Sequence, residues 1–376
     1  MRSPSLLQAC ALVALVAAPS SAFAAEPAEM SPLVDLQNAL ADDSADRSTL
    51  TRLVIMLREM GEHDQAESLL ADLAKSGIQL DLVHDLAAGA SLPVGNIERG
   101  VVGPDVIVGD LNGIGYYGQV EGIAAYAIGT DSCNIGDTPL LWISHNNQHP
   151  VIGQNIYRLK DGVFQQIAMS HLKHGFTALS QSLCQSCTGG GGSTLFPGCS
   201  DPYWTGLNAS QDRLGPKWQV NAHTGAYEYP FLSMPYNATI GRRSQVRVAD
   251  VDPAQNAGAI YWAEGQYVTA DDAAAGNGDN NASYRRVIFN GALQPNFMGQ
   301  TIRTKPAIRG WKDHDPNVNI QDVRVPGEGL FIVASRAYDN GDGTWKYVYA
   351  IHNLNSDRSG QKFHIPSAGA GLTNVG

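Results

Sequence analysis

Four of the chain's ten histidines fall between positions 145 and 174: His145, His149, His171 and His174. Neutral imidazole is the commonest metal ligand, so His145-x-x-x-His149 and His171-x-x-His174 could together offer zinc or copper three or four nitrogens. Asp137 or Asp201 could complete such a set. Pro150 and the strand-like flanks put the first pair in a loop, where spacing alone does not place two rings on one face. A metal-free reading uses His174 as general base or acid, because an imidazole near pKa 6.5 exchanges protons at neutral pH. Tyr157, Arg158 and Lys173 would then donate protons or neutralise a substrate carboxylate, as a lyase or hydrolase acting on acidic glycans needs. The plainer alternative makes these histidines hydrogen-bonded core residues beside Trp142 and Tyr157. The chain has no G-x-S-x-G elbow, no H-E-x-x-H and no P-loop, which puts common serine hydrolases, zincins and nucleotide enzymes out of the front rank.

A second group of candidates is acidic. Asp250, Asp252, Asp271 and Asp272 lie close in sequence, with Glu264, Asp279, Asn277, Asn280 and Asn281 among them. Calcium takes about six to eight such oxygens, although the EF-hand order of ligands is absent. Asn, Asp and Gly are also ordinary turn formers, so solvated loops compete with a calcium site. The aromatics Trp204, Trp218, Tyr227, Tyr229, Phe231 and Tyr236 crowd a Pro- and Gly-rich stretch. Exposed, they would stack on sugar rings; buried, they would fill a core under long loops.

The N-terminus reads as an export signal. Arg2 precedes an apolar run from Leu6 to Ala18, Pro19 ends it, and Ala22-Phe23-Ala24 is a small-x-small cleavage site before Ala25. The run is too short to span a bilayer, which takes about 20 residues. Gln8 and the short stretch before Cys10 argue against lipoprotein processing. Cys133, Cys184, Cys187 and Cys199 then remain, and an even number in an oxidising compartment reads as two disulfides with three pairings open. A zinc site built on Cys184-x-x-Cys187 is the alternative. Residues 25–100 carry 14 acidic and 5 basic side chains, against 22 and 19 in residues 101–376. Neither part has the basic stripe that phosphate neutralisation requires, so nucleic acid is not an expected partner. After signal cleavage no transmembrane segment is expected.

The elements that must position these residues fall into two textures. Over residues 31–88, Leu50, Leu53, Val54 and Leu57, and then Ala66, Leu69, Leu70 and Leu73, recur at helical spacing around Gly61. This is the pattern of one tetratricopeptide-like hairpin, in a chain region where about three repeats would be needed for a stable array. From Gly89 onward short β-branched and aromatic runs replace it. Strands are expected at residues 106–108, 123–128, 140–143, 151–157 and 164–168. A hairpin is expected from 330–338 and 344–352 around Asp339-Asn340-Gly341-Asp342-Gly343. Trp345, Tyr347, Tyr349 and Ile351 alternate with Lys346, Val348 and Ala350, as in a half-buried strand. Phe363-His364-Ile365 reads as a short further strand. The expected fold class is therefore mainly β: a β-sandwich-like body with long loops over residues 91–376, preceded by a helical hairpin and linker at 25–90 and the signal peptide at 1–24.

The segments Gly103-Pro104-Asp105-Val106, Ser132-Cys133-Asn134-Ile135-Gly136, His149-Pro150-Val151-Ile152-Gly153-Gln154-Asn155 and Leu172-Lys173-His174-Gly175-Phe176 form a recognisable set. So do Gly198-Cys199-Ser200-Asp201-Pro202-Tyr203, Glu264-Gly265-Gln266-Tyr267-Val268, Asn280-Asn281-Ala282-Ser283-Tyr284-Arg285 and Asn353-Leu354-Asn355-Ser356-Asp357-Arg358. Across about Gly103 to Ser359 the chain resembles a family of uncharacterised exported bacterial proteins. The resemblance implies export but brings no activity. It also implies members that continue past residue 376, hence a body lacking its last strand here. Three readings follow in order: a secreted or surface-associated protein binding extracellular polysaccharide, an extracytoplasmic enzyme using the 145–174 histidines, and a structural envelope component.

Overall fold

A computed structural model describes residues 101–366 and 371–373, together with Val54, Leu70 and Ala71. The expected signal segment 1–24 and the expected helical pair at 31–88 lie outside the described residues, apart from those three positions. The chain divides into two compact units, residues 1–97 with 180–187, and residues 98–179 with 188–376. All that follows concerns the second unit, save the positions of two cysteines.

The first half runs through β1 (Val106–Val120), β2 (Ile123–Asn134), β3 (Leu140–Leu141), β4 (Val151–Lys160) and β5 (Val163–Met169). After β6 (Leu172–His174), β7 (Thr194–Leu195) and β8 (Ser200–Tyr203) come the short helix α1 (Thr205–Ala209), β9 (Leu214–Gly215) and β10 (Ser244–Arg247). The second half contains α2 (Val248–Val251), β11 (Ile260–Val268), α3 (Ala270–Ala275), β12 (Ala282–Phe289) and β13 (Pro295–Ile302). It closes with α4 (Ala307–His314), β14 (Asn319–Val325), β15 (Gly329–Asp339) and β16 (Trp345–Asn353).

The unit is mainly β, as its alternating apolar runs dictate, and every strand pairing is antiparallel. The central sheet has seven strands in the order β13-β12-β11-β4-β6-β9, with β5 also on β4. A four-stranded sheet, β1-β2-β10 with β8 on β2, covers one face. Ser283 Oγ donates to the Val108 carbonyl at 2.7 Å and Leu111 accepts Arg285 Nη1 at 2.8 Å, stitching the two layers. Gly265 is required where they meet, because a β-carbon there would lie 2.9 Å from Leu111 and 3.0 Å from Thr130. The other face packs on α4 and the sheet β14-β15-β16 through Trp262, Phe164, Trp311, Ile332 and Val348. With both faces covered, β4 and β11 are buried along most of their length, as strands lying between two layers must be.

The hairpin of β15 and β16 pairs Asp339 with Trp345 and Phe331 with Asn353. Asp339 accepts the Gly341 amide and Asp342 the Thr344 amide, while Gly341 and Gly343 take the positive φ that their turn requires. On β16 the Val348 side faces the core, and Trp345, Tyr347 and Ile351 remain exposed. The third strand of this sheet is β14; Phe363-His364-Ile365 is not a strand, and Phe363 meets the Tyr349 ring edge-on instead.

Cys133, Cys184, Cys187 and Cys199 are all disulfide-bonded. Disulfides form and persist in oxidising, extracytoplasmic compartments. Among the described residues no helix is long and apolar enough to cross a membrane. Alkylation of native protein under denaturing, non-reducing conditions is expected to label none of these four thiols, and prior reduction all four; labelling without reductant would contradict the cross-links.

A candidate active site around a buried carboxylate

The period of two along β4 sends Gly153, Asn155 and Tyr157 to the face that looks toward β16. The register of β4 on β11 places Glu264 directly opposite Asn155, and Trp262 opposite Tyr157. A carboxylate in the middle of an otherwise apolar strand must therefore find its partners within the sheet. Glu264 is fully buried and has three of them. Asn155 Nδ2 donates to Oε1 at 2.8 Å, Tyr157 Oη donates to Oε1 at 3.0 Å, and the Ala307 amide donates to Oε2 at 2.6 Å. Ala307 is the first residue of α4, so the carboxylate also meets the positive end of that helix.

These bonds position what surrounds them. Asn155 Oδ1 accepts from Gln166 Nε2 and from Lys217 Nζ, each at 3.0 Å, which fixes the amide's orientation. The Tyr157 ring stacks on Phe164, and Phe164 in turn on Trp311. His352, on the inward side of β16, brings Nδ1 to 3.4 Å from Tyr157 Oη. Together with Leu172, Gln266, Trp218 and Ile308, the side chains of Asn155, Tyr157, Lys217 and His352 line a cavity of about 760 Å³. That is within the roughly 300–1,000 Å³ of small-ligand sites. Trp218 stands at it 74% exposed.

The protonation states follow from this placement. Burial, reinforced by the Glu264 charge and hydrogen bond, pushes the Tyr157 phenol well above its ordinary range, so it stays protonated and donates to Glu264. Burial lowers His352, against the pull of Glu264. It is neutral near pH 7. With the Tyr157 proton committed to Glu264, Nδ1 of His352 must be the donor toward Tyr157, which leaves Nε2 with a free lone pair. Burial also brings Lys217 down to about 8, although Glu264 opposes the shift. The cavity thus holds a neutral imidazole and a readily deprotonated ammonium, both tied to one buried carboxylate.

Of the catalytic trio His174, Tyr157 and Lys173, only Tyr157 lines this cavity. In β6 the register sets Lys173 opposite Ile152, on the other face of the sheet, where its ammonium lies 5.1 Å from the centre of the Phe176 ring. His174 and His149 meet instead. His149 Nδ1 donates to the Ile143 carbonyl at 3.1 Å, and its Nε2 accepts His174 Nδ1 at 3.1 Å. Phe231 stacks on His174 and Tyr227 packs edge-on against both rings. His145 is exposed in a turn, and the His171 amide bonds to Arg242. Among the described residues no three His, Cys, Asp or Glu side chains converge on one point. The expected aspartates are likewise engaged separately. Asp250 pairs with Arg158, Asp252 accepts the Ala254 amide, Asp271 accepts the Leu141 amide, and Asp272 accepts the Val106 amide. The aromatics divide: Tyr227 is core, whereas Trp218 is at the cavity.

Glu264, Lys217 and His352 were not among the expected catalytic residues. Glu264 had a legible signal, a lone carboxylate within the strand-like Ile260–Val268, but reads in sequence as part of an acidic loop. Lys217 and His352 had none, since only the pairing of distant strands brings them to β4. No family model matches the chain, and no curated protein is similar to it.

Proposed function

We propose that the protein is an extracytoplasmic acid–base enzyme whose cavity takes a carboxylate-bearing saccharide. The carrying observation is that Lys217 and His352 face one sugar-sized cavity while Glu264, through Asn155 and Tyr157, holds both in place. In this reading the Lys217 ammonium neutralises the substrate carboxylate, which acidifies the adjacent C–H. His352 Nε2 takes that proton. The electron pair forms a carbon–carbon double bond and expels the glycosidic oxygen, which leaves with the proton returned by His352. Trp218 offers an exposed aromatic face for stacking a neighbouring sugar ring. Export is proposed from the signal-like N-terminus, the resemblance to exported proteins, and the disulfides. N-terminal sequencing of the secreted protein is then expected to start at Ala25.

Binding separates this proposal from a neutral-sugar or purely structural role. Calorimetry with uronate oligosaccharides is expected to show saturable binding, with neutral oligosaccharides of equal length at least tenfold weaker. Lys217→Met is expected to lose roughly tenfold in affinity for the acidic ligand, the order of one charge-assisted contact. No binding by the wild type, or equal affinity for acidic and neutral ligands, would overturn it.

A further inference from the structure

Away from the cavity, two carboxylates are buried at the start of β1. Asp105 and Asp272 are both fully inaccessible to solvent. Asp272, in the first turn of α3, accepts the Val106 amide at 3.0 Å and Asn281 Nδ2 at 2.8 Å. Asp105 accepts Asn280 Nδ2 at 3.1 Å through Oδ2. Asn277 Nδ2 bonds the Val102 and Pro104 carbonyls, so the loop 276–281 is wrapped on the chain just before β1.

Two features of this cluster are unexplained by the protein alone. Its charge is uncompensated: the groups acting on the two carboxylates are Asn280, Asn281, the Val106 amide and the further carboxylate Asp271, with no Lys or Arg among them. Its oxygens are unsatisfied as well. Asp105 Oδ1, Asn280 Oδ1 and Asn281 Oδ1 are buried with no hydrogen-bond partner. Buried carboxylates need a counter-charge, and buried acceptors need a partner. Two carboxylates and the two asparagine side-chain oxygens beside them, three of these oxygens orphaned, make a hard, all-oxygen donor set of charge −2, which matches a calcium ion.

We propose that Asp105, Asp272, Asn280 and Asn281 form a calcium site that ties the loop 276–281 to the start of β1. Water completes the six to eight oxygens that calcium takes. The set shares Asp272 with the sequence expectation but replaces Asp250, Asp252 and Asp271.

The test is calorimetry and thermal unfolding of the chelator-treated, full-length protein. Wild type is expected to bind calcium one-to-one and to gain roughly 5 °C in millimolar calcium. Asp105→Asn keeps the side-chain shape and is expected to bind at least tenfold more weakly. Asn280→Asp adds a third carboxylate, and is expected to unfold more readily in chelator and to be rescued by calcium. It keeps the test decisive if Asp105→Asn fails to fold. Overturning results are a wild type that neither binds calcium nor responds to chelator, as when a shared proton or buried water fills the cluster, Asp105→Asn binding like wild type, or Asn280→Asp gaining nothing from calcium.

Discussion

Glu264→Ala is expected to cost about 3–5 kcal/mol of unfolding free energy, the scale for removing one partner from a buried, charge-assisted network. The size follows from what remains. Asn155 Nδ2, Tyr157 Oη and the Ala307 amide would all lose their acceptor in a place water does not reach from the sheet side. Urea unfolding at pH 7 measures it, and a loss below about 1 kcal/mol would show that the carboxylate is not the hub of the network. Glu264→Gln isolates the charge from the volume. Its amide presents one acceptor and one donor group where three donors already point, so it is expected to fold less stably than wild type but more stably than the alanine variant. Because Glu264 holds the Lys217 ammonium in its charged form against burial, either substitution is expected to move Lys217 below its value of about 8. NMR of reductively methylated lysines reports that titration directly.

The second large effect is acid sensitivity centred on His149 and His174. Burial, with the neighbouring His149 and Lys173 charges, brings His174 down to about 3, and burial lowers His149. The unfolded chain takes up these protons near 6.5, whereas the folded chain resists them. Their contribution is therefore complete above about pH 6.5 and is lost progressively as pH falls toward 3. The slope for one such group is roughly 1.4 kcal/mol per pH unit within that window. Geometry gives the cause: His149 Nε2 is already an acceptor, so protonating it breaks the bond between the rings, while protonating His174 places a charge against Phe231 and Tyr227, which offer no counter-charge. His174→Gln can still donate to His149 and does not titrate. Its unfolding free energy is expected to fall less steeply from pH 6.5 to 4.5 than that of wild type, by about 1–2 kcal/mol across the interval. Parallel profiles would contradict the neutral pair.

How much of this was legible in sequence depends on whether neighbours along the chain or neighbours in space decide the matter. Alternation and turn chemistry are local, and they located β4, β5 and the β15–β16 hairpin within a few residues and the starts of β1 and β2, whose ends at Val120 and Asn134 lie well past the expected 108 and 128. They also put Asn155 and Tyr157 on one face, two positions apart. The same period of two shows why Lys173 could not join Tyr157: pairing with Ile152 turns it to the opposite side of the sheet. His149 and His174, expected to act together, meet as a hydrogen-bonded pair. What no local pattern carries is the register between distant strands. Glu264 meets Asn155 across β11 and β4, and His352 meets Tyr157 across two layers, separations of 109 and 195 residues. Likewise, Phe363-His364-Ile365 has strand-like residues, yet it does not pair with the open edge of β16, and Phe363 meets the Tyr349 ring instead.

The most direct test of the acid–base proposal is turnover. Purified protein mixed with a uronate polymer, and separately with a neutral glucan, is followed by ultraviolet absorbance for the carbon–carbon double bond that elimination creates. Wild type is expected to generate the signal from the uronate alone. His352→Gln is expected to fall by about 100-fold or more in kcat with KM little changed, the size of a general acid–base contribution. Saturable binding of the uronate with no double bond formed, or His352→Gln turning over like wild type, would contradict the claim that this cavity performs acid–base chemistry.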